Sequence, residues 1–210
     1  LMFRIFLILA VLFPATYAVW ADDLSESHNK IRLAVEAKQY SAAAAELRGI
    51  QTANLKIFEA NNYDYLLARM AESEGDKATA IANYKTVADR DSILKAYALF
   101  HLAKIFRESG NLLLERLYLT KLSIESPTSL LMPATRERLA KSSFAASNFA
   151  ETIRMLTSDN FGITGDKTNA AVSRFLREDN ALLAAAYLRH GQTGPAREIS
   201  SSEPNPFTGQ

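Results

Sequence analysis

Short breaks recur along this chain at a nearly constant interval. Gln39, Gly75, Gly110, Asn148 and Gly191 stand 36, 35, 38 and 43 residues apart. A period of this length marks a chain built from one supersecondary unit used repeatedly. Between the breaks the apolar residues fall at helical intervals. Tyr63, Leu66, Leu67, Met70 and Ala71 share one helix face, and Ala78, Ile81, Tyr84 and Ala88 share the next. Leu94, Tyr97, Ala98, Leu102 and Ile105 form a third stripe, and Leu114, Leu117, Tyr118 and Leu122 a fourth. Pro127 closes that helix, and Ser129 opens one carrying Leu130, Leu131, Leu139 and Phe144. Phe149, Ile153 and Leu156 follow, and then Phe175, Leu176, Leu182, Leu183, Ala186, Tyr187 and Leu188.

Punctuation agrees with periodicity. Gly75 suits the left-handed residue that ends a helix, and Asp76 is placed to cap the next one. The chain is rich in Ala and Leu and holds only 8 Gly and 6 Pro among 210 residues, which favours helix over a turn-dense β fold. Small residues at Ala42–Ala45, Ala68 and Ala80 let neighbouring helices approach. These features predict an all-α fold: a right-handed α-solenoid of four to five tetratricopeptide-like helical hairpins, with a plain helical bundle as the alternative. The stretch Ser158–Lys167, with Gly162 and Gly165, reads as an insertion.

The first residues read as an address. Met2-Phe3-Arg4 supplies a positive charge, Ile5–Phe13 is an unbroken apolar run, and Pro14 ends it. Val19-Trp20-Ala21 then offers small residues at the −3 and −1 positions before Asp22. That order is a secretory signal peptide, with cleavage after Ala18 or Ala21; an uncleaved anchor is the alternative. The expected organisation is residues 1–21 signal peptide, 22–199 helical repeat domain, and 200–210 a Ser/Pro/Gly-rich tail or linker leading into a longer reading frame. The mature chain would have no membrane span and would be exported, to the periplasm of a Gram-negative cell.

Charge and side-chain chemistry exclude several functions. A net charge of +1 gives no field to steer the chain to nucleic acid or an anionic membrane. With no Cys there is no disulfide, thiolate metal site, Cys nucleophile or lipoprotein anchor. His28, His101 and His190 sit on separate repeats, so no metal site is expected. No Gly-x-Ser-x-Gly elbow or phosphate-binding loop occurs. The Glu-Ser pairs at Glu26, Glu108 and Glu125 read as solvated helix ends rather than general acids. The tyrosines Tyr40, Tyr63, Tyr65, Tyr84, Tyr97 and Tyr118 read as packing residues with a wet hydroxyl. What remains is basic: Arg136, Arg138, Lys141 and Arg154 in one group, and Arg174 and Arg177 with Arg189 in another. Either these are solvated helix faces, or they line a cleft for an anionic polymer or peptide. No catalytic residue and no cofactor is expected.

Several segments carry a resemblance. Tyr63-Asp64-Tyr65-Leu66-Leu67-Ala68-Arg69, Gly75-Asp76, Tyr97 to Ala103, Gly110-Asn111, Glu115-Arg116 and Ser126-Pro127-Thr128-Ser129-Leu130-Leu131 are similar to the helical N-terminal region of soluble lytic murein transglycosylases. The similarity resumes in Leu182–Leu188 and Gly191 and covers most of residues 25–199. It implies a superhelical arm that holds the murein glycan for a separate lysozyme-like domain. There a Glu acts as acid and then base, without a cofactor, to leave a 1,6-anhydromuramic end. That Glu is followed by Ser and a Gly-Leu-Met-Gln segment, which none of the Glu-Ser pairs here precedes. The resemblance therefore implies the scaffold and no catalytic residue. The expected function is the non-catalytic arm of a peptidoglycan lytic transglycosylase (a lyase of the cell wall), with a glycan strand as ligand. The alternative is a periplasmic tetratricopeptide adaptor that holds a protein or peptide partner in envelope assembly.

Overall fold

The computed structural model describes residues 24–157 and 170–202, with the side chains of 170–177 and 202 excepted. The stretches read as signal peptide and insertion, and the end of the tail, lie outside the described residues. The described chain is helical, with no strand among it, and divides into two compact units, the first ending at Leu94 and the second beginning at Lys95.

The first unit holds α1 (24–36), α2 (Tyr40–Ala53), α3 (Leu55–Ala60), α4 (Tyr63–Glu74) and α5 (Lys77–Ala88). Ile31 of α1, Ala43, Leu47 and Ile50 of α2, Phe58 of α3, and Tyr63, Leu67 and Met70 of α4 form one buried cluster. Ala68 and Ala80 are completely buried, which brings α4 and α5 together as the small side chains allow. The second unit holds α6 (Lys95–Glu108), α7 (Leu112–Glu125), α8 (Met132–Ala145), α9 (Phe149–Thr157), α10 (Ala170–Arg189) and α11 (Thr193–Ser202). In both units, helices pack on those next or next but one in sequence. This is the quasi-one-dimensional logic of repeat proteins.

One turn geometry is used at every hairpin. Residues 38, 75, 110, 147 and 191 have positive φ, at 58°, 81°, 73°, 60° and 81°. After each, the next residue donates its N–H to the carbonyl five positions back: Gln39 to Ala34, Asp76 to Ala71, Asn111 to Phe106, Asn148 to Ser143 and Gln192 to Tyr187, at 2.8–2.9 Å. This is a Schellman closure, and it satisfies carbonyls that the helix end would otherwise leave open. Three of these donors also begin the following helix. The Asp76, Asn111 and Asn148 side chains accept from the N–H groups of Thr79, Leu114 and Glu151 at 3.1, 3.0 and 3.3 Å. A single residue thus ends one helix and caps the next.

Four details differ from the sequence reading. The short helix α3 was not expected; Asn54 caps it by accepting from Ile57 N–H at 3.1 Å. Helix α8 starts at Met132 rather than at Ser129, so Leu130 lies in the turn and is 89% exposed. Leu66, Tyr97 and Leu117, placed on buried stripes by spacing, are exposed. Helix α11 continues through Ser202, into the stretch read as tail.

Candidate functional site

Helix α8 carries Arg136, Arg138 and Lys141, three of the residues singled out for a ligand. Pro133 sits in its first turn, and Thr135, Leu139, Ala140, Ser142 and Ser143 form its buried face. Arg136, Arg138 and Lys141 lie half-buried beside that face. Arg138 Nη2 donates to Glu115 Oε1 at 3.1 Å, and its guanidinium lies 4.7 Å from the centre of the Phe100 ring. Glu115 is fully buried on α7, and Arg107 stands 3.7 Å from the same oxygen. Burial lowers the pKa of Arg138, and the Glu115 carboxylate opposes that shift. Arg138 is therefore an internal tie between α6, α7 and α8.

Lys141 and Arg154 are also paired with carboxylates. Lys141 pairs with Glu137 one turn earlier and lies 3.8 Å from Glu178 of α10. Arg154 donates to both carboxylate oxygens of Glu151, at 2.8 and 2.6 Å. Its charge stays in solvent, and the pairing raises its pKa while lowering that of Glu151. Arg136 is half-buried. The side chains of Arg174 and Arg177 lie outside the described residues. Of the basic residues on α8 and α9, Arg138 and Lys141 reach carboxylates on neighbouring helices, whereas Arg154 pairs within its own helix.

Asp179 was missed by the sequence reading. It lies on α10, 7% exposed, with both carboxylate oxygens unpartnered. Burial pushes its pKa up to about 6; Glu137 and Glu178 add to the shift and Lys141 opposes it. Its register with Leu183 and Ala186, on one side of a helix, is the signal that marked it as inward-facing.

Unit 1 has its own polar cluster. Arg90 binds both carboxylate oxygens of buried Asp64 and donates to Asn62 Oδ1 at 2.9 Å. Ser92 also donates to Asn62, at 2.6 Å. These bonds pin the segment after α5 to the start of α4, where Asn62 itself has φ of 54°. Beside them lies an open cleft of about 460 Å³, lined by Lys56, Glu59, Asn62, Arg90 and Ile93 among others.

His28, Tyr63, Tyr84, Phe106 and Tyr118 serve packing. His28 is hydrogen-bonded through Nε2 to the hydroxyl of Tyr63, whose pKa is raised by burial. Tyr84 is fully buried and donates to Glu72 at 2.6 Å; burial, and secondarily that carboxylate, hold the proton on its hydroxyl. The rings of Phe106 and Tyr118 stack 5.5 Å apart. Among the described residues no group of His, Asp or Glu is arranged to hold a metal. Nor is any helix among them long and apolar enough to cross a membrane.

The surface that stands out is apolar. Leu113, Leu117 and Ile124 of α7 are 70%, 55% and 71% exposed, and their spacing aligns them along one side of the helix. Leu119 and Leu122 on the opposite side are completely buried. Helix α7 is therefore apolar on both its inner and its outer side.

No family model matches this chain, and no curated protein matches it. Solved structures do. The crystal structure of MamA protein aligns with a TM-score of 0.59 at 11% identity, over 86% of this chain and 90% of that one. A kinesin light chain of Podosopora anserina with nearly identical TPR-like repeats aligns at 0.55 and 17% identity, over 85% and 92%. A second MamA structure aligns at 0.55 and 15%, over 88% and 94%. These likenesses define the fold as a TPR-like helical repeat.

Proposed function

We propose that the chain is a non-catalytic helical-repeat scaffold of the extracytoplasmic space that works by holding a segment of a protein partner. The observation that carries this reading is the TPR-like stacking of hairpins, in which three part-buried polar pairs tie helices and segments together. Arg138–Glu115, Arg90–Asp64 and Tyr84–Glu72 all join different helices or segments. What such a stack offers outward is surface, and the apolar side of α7 suits a partner segment with an apolar face of its own. Export, and with it the periplasmic setting, rests on the signal-like order of residues 1–21.

A second reading is the arm of a peptidoglycan lytic transglycosylase that positions a glycan strand. It is supported by the residue similarity through Tyr63–Arg69, Tyr97–Ala103 and Ser126–Leu131. One experiment separates the two: the purified chain is sedimented with isolated sacculi and, in parallel, used as bait in detergent-solubilised envelope extract. The adaptor reading expects one stoichiometric protein on the bait and no retention on sacculi. Retention on sacculi, with no protein captured, would replace it with the murein arm.

A further inference from the structure

We propose that the seam between α8 and α10 is a proton-operated latch: α10, and with it α11, docks more tightly on α8 when Asp179 is protonated than when it is charged. The geometry is unusual for a carboxylate. Both oxygens of Asp179 are shut off from solvent, and neither has a hydrogen-bond partner among the described residues. A buried charge without a partner is among the most costly arrangements a fold can hold. The neighbours increase that cost. Glu137 on α8 and Glu178 on α10 are both carboxylates, and Lys141 of α8, the one cation acting on Asp179 among the described residues, is engaged with both of them. Helices α9 and α11 also pack on α10. Their titratable groups are Glu151 and Arg154, paired to each other, and Arg197 and Glu198, both exposed. None of these offsets the charge on Asp179.

Protonation removes the penalty. The neutral acid has no net charge to desolvate and gains a hydroxyl that can donate, for instance to the carboxylate of Glu137 or Glu178 after a side-chain rotation. Burial and the flanking carboxylates move the acid from its ordinary 3.8 to about 6. The direction follows from linkage. The docked state binds the proton more strongly than the undocked state, so docking is strongest in acid and weakens as pH rises through the docked value. With those two values, docking gains about tenfold in its equilibrium constant between pH 8 and pH 5. A chain exported across the cytoplasmic membrane would meet that range directly.

The test is hydrogen–deuterium exchange on the full chain at pH 5 and pH 8, corrected for the intrinsic pH dependence of exchange. Amides of α10 and α11 should be protected about tenfold more at pH 5, while α4 and α5 should show no such change. Asp179→Asn, neutral at every pH, should hold α10 and α11 at high protection throughout. Equal pH dependence in wild type and Asp179→Asn would overturn the latch, as would a wild-type chain whose α10 exchange ignores pH. If Asp179→Asn does not fold, Glu137→Gln carries the test. It leaves the buried acid in place and removes a flanking charge, so the midpoint should move to lower pH; an unmoved midpoint would refute the proposal.

Discussion

Replacing Arg90 with Met should destabilise the first unit far more than loss of a surface charge. The Asp64 side chain is 3% exposed and that of Arg90 25%. Met keeps much of the aliphatic stem of Arg90 but removes the guanidinium that binds both Asp64 oxygens and Asn62. Asp64 would keep only the Tyr65 N–H bond at 2.9 Å. Breaking a buried pair from one side costs about 3–5 kcal/mol, because the remaining charge stays buried. Arg90 is partly solvated, and the segment around Ser92 can admit water, so the lower end, about 3 kcal/mol, applies here. In urea, with a slope of roughly 2 kcal/mol/M, the midpoint should fall by about 1.5 M by far-UV circular dichroism. Asp64→Asn in the Arg90→Met background should recover part of the loss, since it removes the stranded charge. A midpoint shift below about 0.5 M would place the pair among ordinary surface ion pairs and refute the reasoning.

Other expectations follow from the same geometry. Lys38→Gly and Ser147→Gly relieve left-handed backbone at φ 58° and 60°, and each should raise stability by about 0.5–1 kcal/mol in thermal melts. Gly75→Ala and Gly110→Ala should lower it by about 1 kcal/mol, since open space around both sites leaves backbone conformation as the cost. Glu115→Ala strands Arg138, whose side chain is 14% exposed, and should cost about 3 kcal/mol; Glu115→Leu with Arg138→Met should recover most of that. Tyr84→Phe removes the 2.6 Å bond to Glu72 and should cost about 1–1.5 kcal/mol in urea titrations.

The repeat was legible because its punctuation is local chemistry. Gly75, Gly110 and Gly191 are where the backbone requires positive φ, and Asp76 caps the next helix as its position implied. Lys38 and Ser147 fill the same left-handed position without announcing it, and only the neighbouring Gln39 and Asn148 flagged those turns. The face of α7 was misread because Leu113, Leu114, Leu117, Leu119 and Leu122 surround the helix. Periodicity selects a face only when the other side is polar. The basic residues were legible as a group but not as pairs. The partner of Arg138 is Glu115, 23 positions away on another helix, and no spacing rule reaches that far. Asp179 was hidden for a similar reason: its inward register could be read, but Glu137, the carboxylate that faces it across the seam, could not.

The most direct test of the scaffold reading is a photo-crosslinking residue placed at Leu117, with a second placed at Arg154 as a control, in cells producing the chain. The account predicts a single protein adduct at Leu117 that is absent at Arg154 and is lost when Leu113→Glu is added. No protein adduct at Leu117, together with firm retention of the same chain on sacculi, would contradict it.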